Sequence, residues 1–353
     1  MSEKINVGLI GFGMAGQVFH APFISRVPGF KLASIRETRP EHIALIHSRY
    51  PAAKVVNNTA AILQDEKIDL VVVATPNNTH FALAKEALQA GKHVLVDKPF
   101  TITSGEAEEL IALAKQQQKI LTVYQNRRWD SDFKTVKKVL ESNLLGNLVT
   151  YEAHFDRFRN QIKPNTWKEE NLPGSGILYD LGTHLIDQAL YLFGTPQEVY
   201  GDVRTQRQDS NIIDNAEVIL QYEKLKVTLK TGMLVKELGP HFILHGDQGS
   251  FVKYGMDVQE EALKAGLTPE GNATWGREPQ ELWGTLNTTY NGLELHGKIA
   301  SETGDYTGLY ENVYAAIRGE RELIVTPEQA RNAIRVIELA QQSSKEKRTI
   351  PFD

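Results

Sequence analysis

Three stretches of the sequence combine residue types at spacings that could do chemistry. In Gly174–Gly194 (GSGILYDLGTHLIDQALYLFG), Asp180 and His184 stand four residues apart, followed by Asp187 and Tyr191. Residues four apart share a helical face, so a carboxylate would lie beside an imidazole. An imidazole, whose free pKa is about 6.5, exchanges protons near neutral pH. The same pattern fits a helix with a solvated polar face and one ordinary histidine. The second stretch, Gly11-Phe12-Gly13-Met14-Ala15-Gly16, has the G-x-G-x-x-G spacing that lets backbone N–H groups approach a pyrophosphate. The third is Asp97-Lys98-Pro99, where a lysine follows the apolar run His93–Val96. An ammonium there could steady a developing alkoxide; the plainer role is a solvated surface lysine. Asp180 and His184 also have metal-ligand spacing, but no further ligand cluster accompanies them, so no metal is expected.

The surrounding elements give these groups their places. Ile5–Ile10 (INVGLI) reads as a strand, and a helix begins near Met14, so the glycine loop has the strand–loop–helix context of a dinucleotide site. A second apolar run, Lys31–Ile35, leads into Arg36-Glu37-Thr38-Arg39. Glu37 falls about 20 residues beyond the last glycine, where an acid meets ribose hydroxyls. Strand-like runs at Val55-Val56, Asp69–Ala74, His93–Val96 and Ile120–Tyr124 alternate with helical stretches at Ala82–Ala90 and Gly105–Gln117. That alternation predicts an α/β fold with a Rossmann, doubly wound parallel sheet over residues 1–124, binding ligands beyond the carboxyl ends of its strands. Thr75–His80, Asp97–Phe100 and Gln125–Trp129 sit at those ends.

Residues 125–353 read as an α+β domain with a large, mostly antiparallel open sheet. A helix at Asp130–Ser142 precedes a long strand, Leu148–Arg159, on which His154, Asp156 and Phe158 alternate with Phe155, Arg157 and Arg159. Strand-like runs follow at Val199–Gln206, Ala216–Tyr222, Lys226–Leu234 and Phe242–His245. Tyr254–Gly304 reads as loops with a short helix at Gln259–Lys264 and a late hairpin, and helices at Tyr306–Arg318 and Pro327–Ser343 close the chain. Asp156 or Arg157, on opposite faces of this strand, could reach a bound ligand; Trp167, Tyr306 and Tyr310 are further pocket candidates, although aromatic residues are more often core. Asn126, Arg127, Arg128 and Trp129 either touch cofactor or substrate or tie the domains together. The open sheet offers a face for a homodimer or homotetramer.

The chain's 353 residues exceed the size at which one core usually keeps growing, which sets two domains as the default. A net charge of −5 argues against nonspecific nucleic-acid binding, which needs a basic face. Zero cysteines exclude disulfides, thiolate nucleophiles and zinc–thiolate sites. The N-terminus lacks the pattern of a signal peptide, and no apolar run approaches the roughly 20 residues needed to span a bilayer. The expectation is a cytoplasmic protein with a small-molecule substrate.

ATPNNTH, VLVDKPF and GSGILYDLGTHLIDQ, together with the glycine loop, resemble the glucose–fructose oxidoreductase/inositol dehydrogenase (Gfo/Idh/MocA) family over nearly the whole chain. GMAGQVFHAPF, QNRRWDSDF and SSKEKRTI are similar to its bacterial scyllo-inositol dehydrogenase branch. The resemblance implies that Lys98, Asp180 and His184 form the catalytic group, and that Thr75, Pro76, Asn77 and His80 line the nicotinamide side. It implies hydride transfer between NAD or NADP and a secondary alcohol of a cyclitol or sugar, with His184 as general acid/base. An NAD-dependent glycosidase and a noncatalytic nucleotide sensor are the alternatives. The family's usual Glu-Lys-Pro is Asp97-Lys98-Pro99 here, which keeps the carboxylate and the lysine. Glu37 can accept both ribose hydroxyls and would repel a 2′-phosphate, so the expectation leans to NAD. Arg36, Thr38 and Arg39 are the groups that would hold the phosphate of NADP.

Overall fold

Ile5–Ile10 forms the first strand, β1, and its apolar residues are buried because a parallel strand is covered on both faces. The computed structural model describes residues 4–163, 166 and 169–353. Two compact units divide the chain. The first comprises residues 1–126, 261–273 and 306–331. Its sheet contains β1, β2 (Phe30–Arg36), β3 (Lys54–Val56), β4 (Leu70–Val73), β5 (His93–Val96) and β6 (Leu121–Val123). All pairs are parallel, in the order β3-β2-β1-β4-β5-β6. The order reverses between β1 and β4, the switch point at which open α/β sheets bind ligands.

The division differs from a single boundary after residue 124, because residues 306–331 join the first unit. The helix Thr307–Ile317 accounts for this. Tyr310 lies parallel to the Phe23 ring at 6.4 Å, and Tyr314 meets Phe30 edge-on at 5.6 Å. Thr122 Oγ1 on β6 donates to the Val325 carbonyl at 2.8 Å. These are contacts across long sequence separations, which local periodicity does not register.

The second unit comprises residues 127–260, 274–305 and 332–353. Its nine-stranded sheet contains β7 (Leu148–His154), β8 (Glu198–Arg204), β9 (Asn215–Gln221), β10 (Lys226–Gly232), β11 (Phe242–Gly246), β12 (Gly249–Lys253), β13 (Gly284–Tyr290), β14 (Leu293–Ile299) and β15 (Ile350–Pro351). The order is β14-β13-β12-β11-β7-β10-β9-β8-β15; β7 and β10 are parallel and every other pair is antiparallel. The expected late hairpin is β13–β14, whereas β12 and β15 had no expectation.

The long strand expected over Leu148–Arg159 ends at His154. Beyond it, the N–H groups of Phe155, Arg157 and Arg159 still donate to the carbonyls of Lys230, Gly232 and Met233. The segment therefore keeps one bonded edge without completing a two-sided ladder. The Gly174–Gly194 helix also departs from simple periodicity. A π turn, Leu178–Gly182, leads into the α-helix Thr183–Phe193. Its polar residues Thr183, His184, Asp187 and Gln188 are buried, so it has no solvated polar face there.

Candidate functional site

In the first unit, the turn after β1 has the shape that its glycines predict. Gly11 has φ +101°, and a Cβ there would come within 2.3 Å of the Ala74 carbonyl oxygen. A Cβ on Gly16 would meet the Gly11 carbonyl oxygen at 2.3 Å, whereas one on Gly13 would meet nothing within 4 Å. The first and third glycines thus permit close backbone packing, and the second leaves the loop open to a ligand. That is the arrangement a pyrophosphate requires. Phe12 is buried, edge-on to His42 and Tyr50, while Met14 is exposed. Met14 and Ala15 begin the helix, which continues through a π turn at Gly16–His20.

At the end of β2, Glu37 is almost fully buried. It accepts bonds from the Thr38 N–H (2.8 Å), the Arg39 N–H (3.1 Å), Arg39 Nε (3.0 Å), Arg39 Nη2 (2.6 Å) and His42 Nδ1 (2.9 Å). Burial pushes its pKa up, but the Arg39, Thr38 and His42 donors outweigh burial and hold the carboxyl well below the usual carboxylate range.

The segments after β4 and β5 are pinned together by His80. Its Nδ1 lies 2.8 Å from the Pro99 carbonyl oxygen and its Nε2 2.9 Å from that of Thr75. Burial lowers its pKa. His80 is therefore a staple beneath the Thr75-Pro76-Asn77 turn, with its ring turned to the backbone. Asn77 is buried at the start of the 3-10 turn Asn77–Thr79, and Thr75 Oγ1 lies 2.6 Å from Thr79 Oγ1.

Lys98 follows β5 and donates its backbone N–H to Asp97 Oδ1 at 2.7 Å. Asp97 Oδ2 lies 3.7 Å from Nε2 of the buried His20, whose Nδ1 lies 2.6 Å from the Tyr310 hydroxyl. Burial raises the Asp97 pKa, but His20, Lys98 and His80 more than offset it and lower the carboxyl's pKa. Tyr306 is fully buried beside Phe19 and Phe23 in this unit's core, and Asn126 is buried at the unit's edge in sequence.

In the second unit, the Phe155 ring organises the expected substrate residues. The guanidinium carbons of Arg127 and Arg157 lie 4.8 and 5.2 Å from its centroid, within cation–π range. The His184 ring lies 6.2 Å away, tilted by 34°. Arg157 Nη1 is 3.9 Å from Asp180 Oδ2, and burial lowers the arginine's pKa. Asp180 is part-exposed and His184 buried, so the helix directs one toward solvent and the other inward. Asp156 Oδ2 lies 3.3 Å from His154 Nδ1, and that bond raises the His154 pKa. Trp167 lies outside the described residues.

Arg127 and Arg128 pair inside this unit. Arg127 bonds Asp130 at 3.0 Å and also bonds Glu260. Arg128 forms a two-pronged bond to Asp187, at 2.8 and 2.7 Å, and lies over the Tyr191 ring. Phe155 and Glu260 had no expected role at the site. Phe155 shares its strand face with Arg157 and Arg159, which gives no signal of burial, and Glu260 has no local signal.

A buried charged cluster also lacked any sequence signal. Lys253 and Glu278 pair at 2.8 Å with both side chains at 0% exposure. Asp132 is fully buried nearby, its Oδ2 3.8 Å from His241 Nε2. Burial pushes the Asp132 carboxyl up to about 7; Lys253 opposes the shift, while Asp257 and Glu278 add to it. A carboxyl raised above its unfolded value costs stability as pH climbs from about 4 toward the folded pKa. Asp132→Asn should therefore gain stability over the natural chain as pH rises from 5 to 8. Denaturant melts across that range check this; a constant difference would refute it.

Among the described residues, no group of three or more His, Cys, Asp or Glu side chains could hold a metal ion. No helix among them is long and apolar enough to cross a membrane.

Comparison with known proteins places this architecture. The family described as "Oxidoreductase family, NAD-binding Rossmann fold" matches residues 5–125, and its C-terminal alpha/beta domain matches residues 137–352. The chain is 39% identical over 351 residues to the scyllo-inositol 2-dehydrogenase (NADP(+)) IolW of Bacillus subtilis, covering 99% of this chain and 97% of that protein. It is 42% identical over 356 residues to the uncharacterized oxidoreductase YdgJ of Escherichia coli K12, covering 99% of each. The solved structure of yvaA from Bacillus subtilis matches with a TM-score of 0.95 at 39% identity, covering 99% of each chain. An oxidoreductase from Bacillus cereus matches at 0.90 and 34% identity, again over 99% of each. With its glycine loop shaped for a pyrophosphate and both halves matched, the chain belongs to the Gfo/Idh/MocA family of NAD(P)-binding oxidoreductases.

Proposed function

We propose that the protein is a dehydrogenase that moves a hydride between nicotinamide and a secondary alcohol of an uncharged cyclitol or sugar. The observation that carries this reading is the grouping of His184, Asp180 and Arg157 around Phe155. Each cation near that ring has a carboxylate neighbour: Arg127 has Asp130 and Glu260, and Arg157 has Asp180. Alternating donors and acceptors without surplus positive charge suit hydroxyl groups better than a carboxylate or phosphate. The scyllo-inositol dehydrogenase relative supports the same substrate class.

His184 takes the hydroxyl proton as the carbon loses its hydride, and returns it in the reverse direction. Asp180 orients the hydroxyl or the imidazole, and the Lys98 ammonium stabilises the developing alkoxide. The glycine loop and the segment at Thr75–Asn77 hold the coenzyme, which supplies the hydride acceptor when bound. Asp156 and Arg157 contact further hydroxyls. The nine-stranded sheet, with exposed Val149, Tyr290, Leu293 and Leu295 on its strands, provides the surface for a homo-oligomer. A cytoplasmic location agrees with a sequence that uses no cysteine.

A panel of cyclitols, aldoses and ketoses with NAD and NADP tests the function, with nicotinamide absorbance as readout. Net coenzyme turnover on at least one polyol is expected. Sugar released from a glycoside without net coenzyme reduction would instead establish the glycosidase alternative. Coenzyme binding without either reaction would favour the sensor.

A further inference from the structure

The acid expected to receive the ribose hydroxyls is already occupied. A carboxylate offers about four lone-pair sites, and Glu37 meets five N–H donors from Thr38, Arg39 and His42. Its side chain is 3% exposed, whereas that of Arg39 is 50% exposed. The network also holds the His42 ring in place. Gln17 Nε2 donates to the Phe12 carbonyl at 2.9 Å, which orients the amide, and the same nitrogen lies 3.3 Å from His42 Nε2. A carboxylate only accepts, so His42 Nδ1 is the donor to Glu37. Glu37 and Arg39 are left as an ion pair with the acid inside and the guanidinium outside.

We infer that Glu37 is the buried anchor of Arg39, and that Arg39 presents its guanidinium to the 2′-phosphate of NADP(H), making this the preferred coenzyme. The inference rests on the first unit being the coenzyme-binding half. An acid in this place ordinarily marks NAD, and an arginine nearby marks NADP; here both are present and their burial separates their roles. Arg39 gives Nε and Nη2 to Glu37, so its plane is set before a ligand arrives and Nη1 remains on the fork. A held guanidinium loses less freedom on binding a phosphate. A ribose diol, by contrast, would have to displace Arg39 or His42 from Glu37 to find an acceptor.

Equilibrium titration of the full chain with NADPH and NADH, followed by fluorescence, tests the inference without turnover. Arg39→Gln is expected to weaken NADPH by about tenfold or more, while NADH changes less than about threefold. Glu37→Gln is close in shape and removes the anchoring charge; it should weaken NADPH by about threefold or more and leave NADH no weaker. Arg39→Lys keeps the charge without the fork and should fall between Arg39→Gln and the natural chain. Calorimetry with adenosine 2′,5′-bisphosphate against adenosine 5′-phosphate reads the adenosine end alone and should show the same order. If Glu37→Gln weakened NADH and tightened NADPH, Glu37 would be the ribose acceptor and the inference overturned. Failure of the natural chain to bind either dinucleotide would instead refute the coenzyme-binding reading itself.

Discussion

His184→Ala is expected to lower kcat by about 10²–10⁴-fold, the usual contribution of a positioned general base. Coenzyme affinity should stay close to that of the natural chain, because the glycine loop and Glu37–Arg39 network belong to the other unit. Because His184 is buried near Phe155, alanine also leaves a cavity. His184→Gln keeps most of the volume and should be equally inactive, while added imidazole should partly restore the alanine variant. Lys98→Met should cause a comparable loss by removing the cation that opposes alkoxide charge. A folded His184→Gln or Lys98→Met variant with natural turnover would remove that residue from the mechanism.

The largest expected stability effect lies at Arg128 and Asp187. Both side chains are 2% exposed and joined by two bonds, at 2.8 and 2.7 Å. Breaking a buried pair leaves a charge without its partner, at a cost of about 3–5 kcal/mol. Asp187→Ala should therefore lower the denaturant midpoint sharply without changing the transition's slope. The pair itself need not be strongly stabilising, since desolvation offsets much of its attraction. Arg128→Met combined with Asp187→Leu should recover most of the loss, although Arg128 also lies over Tyr191. If Asp187→Ala cost less than about 1 kcal/mol, the pair would be behaving like an exposed one.

These two cases show different degrees of legibility. The spacing of Asp180 and His184 places a carboxylate beside an imidazole and fits a solvated polar face equally well; the family resemblance is what singles the pair out for chemistry. The same spacing did not show that Asp180 sits in a π turn and His184 in the α-helix after it, because a 3.6-residue period assumes an unbroken α-helix. Asp187 had the same type and face and looked like part of a polar surface. Its burial depends on Arg128, 59 residues earlier.

Glu37 shows the same division at one residue. Its position after β2 was readable from the sequence, and so was the relevance of Arg39. Which of them faces outward depends on five bonds and on His42, held in turn by Gln17 and Phe12.

By itself, the sequence determined the parallel α/β half, the glycine loop and the strand-end positions of Thr75 and Lys98. Those features arise from local periodicity and from glycines whose conformational need is local. Only the tertiary structure decided that residues 306–331 return to the first unit, that His80 serves as a staple, and that Lys253 is fully buried against Glu278. Each depends on a partner distant in sequence, and a charged or aromatic side chain does not announce in advance which partner will cover it.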